Sequence, residues 1–378
     1  MTDGKGAFNV LESVKTHIDS LKPLQPKQAI VCIGEYPIKL LLKQLNSKTQ
    51  ETIAIFVDKS SEEIYQWIPK GYNPHFVLGF EDANVNTHFW YNVLPYISQN
   101  QSIVESLSQK PIEKLRGVVI VASVWDGVGS ASLPTLISKF KETNKNALSL
   151  AILPSKIQPS DAYFNAFAAL GNCVSIDDST ILLLDRDCLE NFEGVDRSGA
   201  QMKGNLIVNY LVDLLLSKES LADEVTELSR TFNTKMFAAL LASGASMKIY
   251  GSLENIFEAA LLKPLLNFDL PSAGLLYVLI RMPESLKDKL PRGKIELAIA
   301  TWFKEKANLK SIYITEPVYT EDTSDRIDVA LLIGGFDTSK MFSEYEMKTK
   351  SLKASAIKKG AIKEEEWQAM TKNLLEGA

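Results

Sequence analysis

Residues 118–134 read VVIVASVWDGVGSASLP. The stretch opens with a continuous apolar run of the kind a strand buried on both faces requires. Gly127, Gly129 and Ser130 follow, and SLPTLISKFKET (132–143) then has the spacing of a helix. Strand, glycine turn and helix together are how many α/β proteins hold a phosphate. Glycine lets backbone amides approach the oxygens, and the helix N-terminus favours an anion. Two residues work against that use. Trp125 is a bulky ring that reads as a plug, and Asp126 is a negative charge that repels an anion unless a bound metal neutralises it. Taken alone, the stretch reads better as a tight strand-to-helix turn with a serine near the helix start.

The same rhythm runs outward on both sides. QAIVCIGEY (28–36), ETIAIFVD (51–58), HFVLGF (75–80), ALSLAILP (147–154) and STILLLD (179–185) are short apolar runs. Helical pieces separate them at 36–46, 60–68, 87–109, 132–143 and 161–172. This alternation predicts a doubly wound, mostly parallel α/β sheet with ligands outside the carboxyl ends of its strands. Residues 199–218 (GAQMKGNLIVNYLVDLLLSK) have helical spacing and the length of a central helix. An acidic helical segment (221–232) follows, then strands at 235–244, 275–283, 311–319 and 326–336, with helices at 253–266 and 293–307 between them. That order predicts a smaller α+β domain. The expected division is an N-terminal helical extension (1–26), a nucleotide-type domain (27–198), a central helix with an acidic connection (199–230), a C-terminal α+β domain (231–336) and a charged tail (337–378). The tail reads as one or two helices or a mobile segment.

The 378 residues are 46% hydrophobic and 23% charged, with a formal charge of -5, so nonspecific nucleic-acid binding is not expected. Cys32, Cys173 and Cys188 match no metal-ligand spacing and fit a reducing cytoplasm. His17, His75 and His88 are isolated, and no run approaches the ~18 apolar residues of a membrane span.

This order of elements resembles the tubulin/FtsZ superfamily over residues 27–336. The clearest stretch is 254–336, with a helix ending in Pro-Leu-Leu, an Asp-x-x-x-Ala-Gly turn (269–274), an amphipathic helix and a closing strand that ends in glycine. The resemblance aligns Gly127, Gly129 and Ser130 with the family's glycine-rich phosphate loop. Gly34 falls in the first glycine turn, Asp58 at the second strand's acidic tip, and Asp187 at the ribose-side tip. Counting back along the central helix brings Arg197 and Gln201 to the positions that hold the base. Aligned without gaps from Asp213, Glu224 and Glu227 take the acidic positions that complete catalysis on a neighbouring subunit. A gapped alignment puts Arg230, Phe232 and Lys235 there instead. The ungapped version keeps the strand at 235–244 in register.

The resemblance implies a cytoskeletal or scaffold protein that self-assembles head to tail. With so many loop positions changed, binding of GTP or GDP (with Mg²⁺) is expected to be weakened and hydrolysis slow or lost. Two alternatives stand beside it. One is an active GTPase using Glu224 and Glu227 in trans, and the other is a partner-binding module that keeps only the architecture. The tail is the expected contact for a further protein partner.

Overall fold

A computed structural model describes residues 28–45, 52–80, 85–99 and 115–376. The expected extension helix (1–26), residues 100–109 of the helix expected over 87–109 and residues 81–84 of the third loop lie outside the described residues.

The first half alternates as its apolar runs dictate. It comprises β1 (Gln28–Ile33), α1 (Glu35–Leu45), β2 (Thr52–Asp58), α2 (Ser61–Trp67), β3 (Phe76–Gly79), α3 (Trp90–Gln99), β4 (Gly117–Ser123), α4 (Gly127–Glu142), β5 (Ala147–Leu153), α5 (Ser160–Ser175) and β6 (Thr180–Asp185). These six strands pair in parallel in the order β3-β2-β1-β4-β5-β6. Side chains alternate along each strand, so Ala29, Val31 and Ile33 of β1 enter one core while Ile30 and Cys32 enter the other. With a core on each face, β1, β2, β4 and β5 are buried along their whole length.

The chain continues with α6 (Arg186–Glu190), β7 (Glu193–Val195), β8 (Gln201–Lys203), α7 (Leu206–Leu216), α8 (Leu221–Phe232), β9 (Met236–Ser246), α9 (Met247–Tyr250), α10 (Leu253–Leu261), β10 (Leu275–Pro283), α11 (Arg292–Phe303), β11 (Ser311–Ile314), β12 (Val318–Thr320), β13 (Arg326–Gly334), α12 (Ser339–Lys358) and α13 (Glu364–Glu376). Here the long helix expected from residue 199 is shorter. Residues 201–203 pair with 193–195 as a hairpin, and helix begins only at Leu206. Gly199 and Gly204 sit at φ of +86° and +58°, a left-handed region closed to most side chains, and the Asp196 carboxylate accepts the Ser198 and Ala200 amides across the turn. Together these outweigh the helical periodicity.

One sheet spans both halves. β9 adds in parallel to β6, matching Ile181, Leu182 and Leu183 with Met236, Phe237 and Ala238. β13 then pairs antiparallel with β9 and with β10, whose far side carries β11 and β12. The charged C-terminal region forms two helices, α12 and α13, against α5. Trp367 of α13 is fully buried, stacked with Phe164 at 5.0 Å and Phe167 at 4.8 Å between ring centroids. Tyr345 of α12 meets Tyr163 edge to face at 4.9 Å.

Candidate functional site at the strand tips

The carboxyl ends of β1, β2, β4 and β6 surround a cavity of about 690 Å³. Its walls include Gly34, Tyr36, Asp58, Trp67, Trp125, Asp126 and Arg186. Gly34, at φ +86°, lets the chain turn from β1 into α1 while its amide bonds Val57 O of the next strand. Asp58 ends β2, is only 5% exposed, and accepts the Lys59 amide at 2.6 Å. Burial pushes its carboxyl up to about 7, with the nearby Asp126 charge adding to the shift.

The turn after β4 is filled from within. Asp126 caps α4: its Oδ1 accepts the Gly129 amide at 2.8 Å and its Oδ2 the Ser123 hydroxyl at 3.0 Å. The Gly127 amide bonds Thr87 O at 3.0 Å, and the Ser130 amide and hydroxyl both go to Asp126 O. Burial raises the Asp126 carboxyl, while the Gly129 amide and Ser123 hydroxyl pull the other way. The glycines are needed by the turn itself. A Cβ on Gly127 would lie 2.4 Å from Thr87 O, and one on Gly129 would lie 1.7 Å from Ser123 O.

Trp125 stands edge to face with Tyr36 at 5.0 Å, and the Arg186 guanidinium lies over both rings, at 5.0 Å from Trp125 and 5.5 Å from Tyr36. Arg186 also donates from Nε to Glu190 at 2.7 Å. The neighbouring Asp187 takes the Ser155 hydroxyl and, at 2.8 Å, the Lys156 amide. Burial opposes its ionisation, but those two donors prevail and hold its carboxyl below the ordinary range.

The Gly127, Gly129 and Ser130 amides are already bonded within the protein, the half-buried Asp126 carboxylate sits among them, and an aromatic pair with its own guanidinium takes up part of the space.

Of the residues singled out in the sequence, Gly34, Asp58, Gly127, Gly129 and Ser130 gather around the tips of β1, β2 and β4, and Asp187 lies beside them after β6. Arg197 and Gln201 are elsewhere. Gln201 is exposed on β8, and Arg197 bonds Thr320 at 2.6 Å and Asp322, with its Nε 3.9 Å from the buried Asp328. Asp328 is the centre of that second cluster. It accepts Tyr210 Oη at 2.6 Å, the Gly244 amide at 2.8 Å and Arg281 Nε at 2.8 Å, while Arg281 also binds Asp213 at 2.6 Å.

Glu224 and Glu227 lie at the other end of the strands. The adjoining Asp223 accepts from Asn146, just before β5, and Gln28 at the start of β1 donates to Lys218 O. Glu224 accepts the Tyr277 hydroxyl at 2.7 Å and the Ser220 hydroxyl. Burial opposes its ionisation, yet the Ser220 and Tyr277 hydroxyls outweigh it and lower its pKa. Glu227 is exposed and paired with Arg230 at 2.8 Å.

Sequence reasoning reads Arg186 as a surface charge able to meet a phosphate; its place over Trp125 is not legible because the contact joins two loops distant in the chain. It also passed over Asp126 as a cap, although Asp at an N-cap followed by small residues is a legible signal.

No protein-family model matches the chain. A curated relative, the tubulin-like protein CetZ of Methanothrix thermoacetophila, is 23% identical over 191 residues, 50% of this chain. That match spans 48% of the relative, about half its length. Among solved structures, CetZ from Methanosaeta thermophila superposes with a TM-score of 0.65 at 17% identity, covering 92% of this chain and 97% of the other. CetZ2 of Haloferax volcanii, a GTPγS-bound protofilament, gives 0.64 at 19%, covering 87% and 99%. An FtsZ dimer from M. jannaschii gives 0.60 at 14%, covering 85% and 92%. The chain has the tubulin/FtsZ fold. Among the described residues no helix is long and apolar enough to cross a membrane.

Proposed function

We propose that this chain, built on the tubulin/FtsZ fold, is a cytoskeletal-type scaffold that associates with itself head to tail. Its guanine-nucleotide binding is weakened, and its GTP hydrolysis is slow or lost. One observation carries this reading: the Asp126 carboxylate already occupies the α4 amide that a phosphate would use. A ligand phosphate would have to displace that bond and then lie beside a half-buried carboxylate. The relative titled as a GTPγS-bound protofilament supports an assembling ancestry. A head-to-tail contact brings unlike surfaces together and builds an open filament when its rotation does not close.

The test is sedimentation and light scattering across protein concentration, with and without GTP and Mg²⁺. The reading expects the same concentration-dependent assembly in both arms. Assembly that appears only with GTP, or none at any concentration, overturns it.

A second reading has one observation in its favour. Glu224 and Glu227 lie at the end of the strands opposite the cavity, where a head-to-tail neighbour would present them. If they act on nucleotide in trans, phosphate release rises more steeply than linearly with protein concentration and falls in Glu227→Ala. Hydrolysis absent or unaltered by that change removes this second reading.

A further inference from the structure

At one side the large sheet ends with β11, and among the described residues no strand pairs with its outer side. Its main-chain groups alternate in direction. The Ser311 amide donates to Gly274 O at 3.3 Å and the Thr315 amide to Val278 O at 3.2 Å, so odd-numbered residues bond inward to β10. By the same alternation Ile312 and Ile314 turn their N–H and C=O groups outward. Tyr313 is steadied by the buried Tyr277, the two rings stacked at 5.4 Å between centroids. Ile312 and Tyr313 are each 40% exposed.

Edge strands are usually blunted by a lysine, a proline or a bulge within the strand. The strand here reads Ser-Ile-Tyr-Ile and carries neither residue. An apolar edge with open hydrogen-bonding groups is a template for a further strand.

The flanking charges select which strand that is. Lys310 precedes β11 and Glu316 follows it, and both are exposed. A second β11 laid antiparallel on the first, with Tyr313 facing Tyr313, sets Lys310 of each copy opposite Glu316 of the other. Ile312 then faces Ile314 on both sides of the axis, and each such pair exchanges two main-chain bonds. A shift of one residue would oppose outward groups with inward ones, and a shift of two would part the charges. Glu316 also holds Arg292 at 2.8 Å, and Arg292 holds Glu296 at 2.9 Å, so Lys310 approaches two carboxylates around one guanidinium.

We propose that β11 pairs with the β11 of a second copy of this chain about a twofold axis at Tyr313. The two sheets become one across the contact. It lies along the side of the sheet rather than at the ends of its strands, so it goes beyond the head-to-tail assembly proposed above. Being twofold, it joins filaments that run in opposite directions. A strand pair this short is weak alone and gains strength by repetition along a filament.

The test uses the full chain carrying Tyr313→Cys or Ile312→Cys, oxidised with diamide, which takes one hydrogen from each of two thiols and leaves them joined as a disulfide. Facing residues of a non-hydrogen-bonded antiparallel pair lie about 4.5 Å apart at Cα, within disulfide reach. Tyr313→Cys should give a disulfide-linked dimer. Ile312→Cys, which faces Ile314, should give little more than the parent, which controls for Cys32, Cys173 and Cys188. Ile312→Pro removes only an outward N–H, a change that an edge strand tolerates. Added to Tyr313→Cys, it should abolish the cross-link and leave Tm within a few degrees. Lys310→Glu, added likewise, should lower cross-linking about 10-fold, and Glu316→Lys added to that should restore it.

Cross-linking of Tyr313→Cys no greater than that of Ile312→Cys or the parent overturns the inference, as does a charge swap that fails to restore it. An edge that takes a strand from a different protein gives the first of these results. Head-to-tail assembly without the cross-link removes this inference alone. The cross-link without any rise in light scattering supports this contact and removes the function proposed above.

Discussion

Asp126 Oδ1 and the Gly129 amide are 2.8 Å apart, three residues from each other, at the first turn of a buried helix. This bond closes α4 on itself. A carboxylate beside the positive end of the helix dipole is favourable, so the cap stabilises the turn. Asp126→Ala should lower unfolding stability by about 1–2 kcal/mol. Asp126→Asn, which keeps an acceptor, should cost less. Urea midpoints of the two variants against the parent measure the difference.

The neighbouring glycines are held by packing. Gly129→Ala would place a methyl 1.7 Å from Ser123 O, a clash with backbone that no rotamer change relieves. Its expected cost is about 3 kcal/mol or more, seen as a large loss of soluble, cooperatively unfolding protein. Gly293, on α11, has open space where a Cβ would sit, with nothing within 4 Å, and Gly293→Ala should stabilise by about 0.5–1 kcal/mol.

Asp58 makes stability depend on pH with a defined sign. Its folded-state pKa, near 7, lies above the ordinary carboxyl value, so the folded protein holds this proton more tightly than the unfolded chain. Its contribution is therefore most favourable in acid and is lost as pH rises from about 4 to about 7. Asp58→Asn should stabilise the protein at pH 8 relative to the parent. The advantage should shrink steadily toward pH 4 when Tm is followed across the range.

Trp367 holds the C-terminal helix in place. Trp367→Ala removes a fully buried ring stacked against Phe164 and Phe167 and should cost about 3–5 kcal/mol. Limited proteolysis should then cut first between residues 359 and 376, with the sheet still protected. Uniform cleavage along the chain would show that α13 is not a separable unit.

Asp328 is fully buried and bonded to Tyr210, Gly244 and Arg281. Asp328→Ala leaves the guanidinium of Arg281 with Asp213 and the face of Tyr210 and should cost about 3–5 kcal/mol. Asp328→Ala combined with Arg281→Met should recover part of that loss, and the thermal midpoints of single and double variants measure the coupling.

Much of this architecture is visible along the chain because parallel strands covered on both faces announce themselves as apolar runs. QAIVCI, TIAIFVD and GVVIVAS are buried at every residue. The start of the central helix was not visible, since Gly199 and Gly204 act through left-handed backbone angles while the side chains around them keep a helical period. The C-terminal helices were legible only as an alternative to a mobile tail. Trp367, Met370 and Leu374 fall three and four residues apart on one face, but the lysines and glutamates around them dilute the apolar signal. At the site, sequence located the tips of β1, β2 and β4 because these are chain-local. It did not place Arg186 over Trp125 or Arg197 against Asp322, because each pair joins segments brought together only by folding.

The pairing of β6 with β9 has a mechanical consequence. Where Ile181 to Leu183 run alongside Met236 to Ala238, main-chain hydrogen bonds cross directly from one half of the chain to the other. A hinge at that seam would have to break a sheet in its middle. The molecule is therefore stiff across this seam, and a pull applied on one side reaches the other through backbone with little slack.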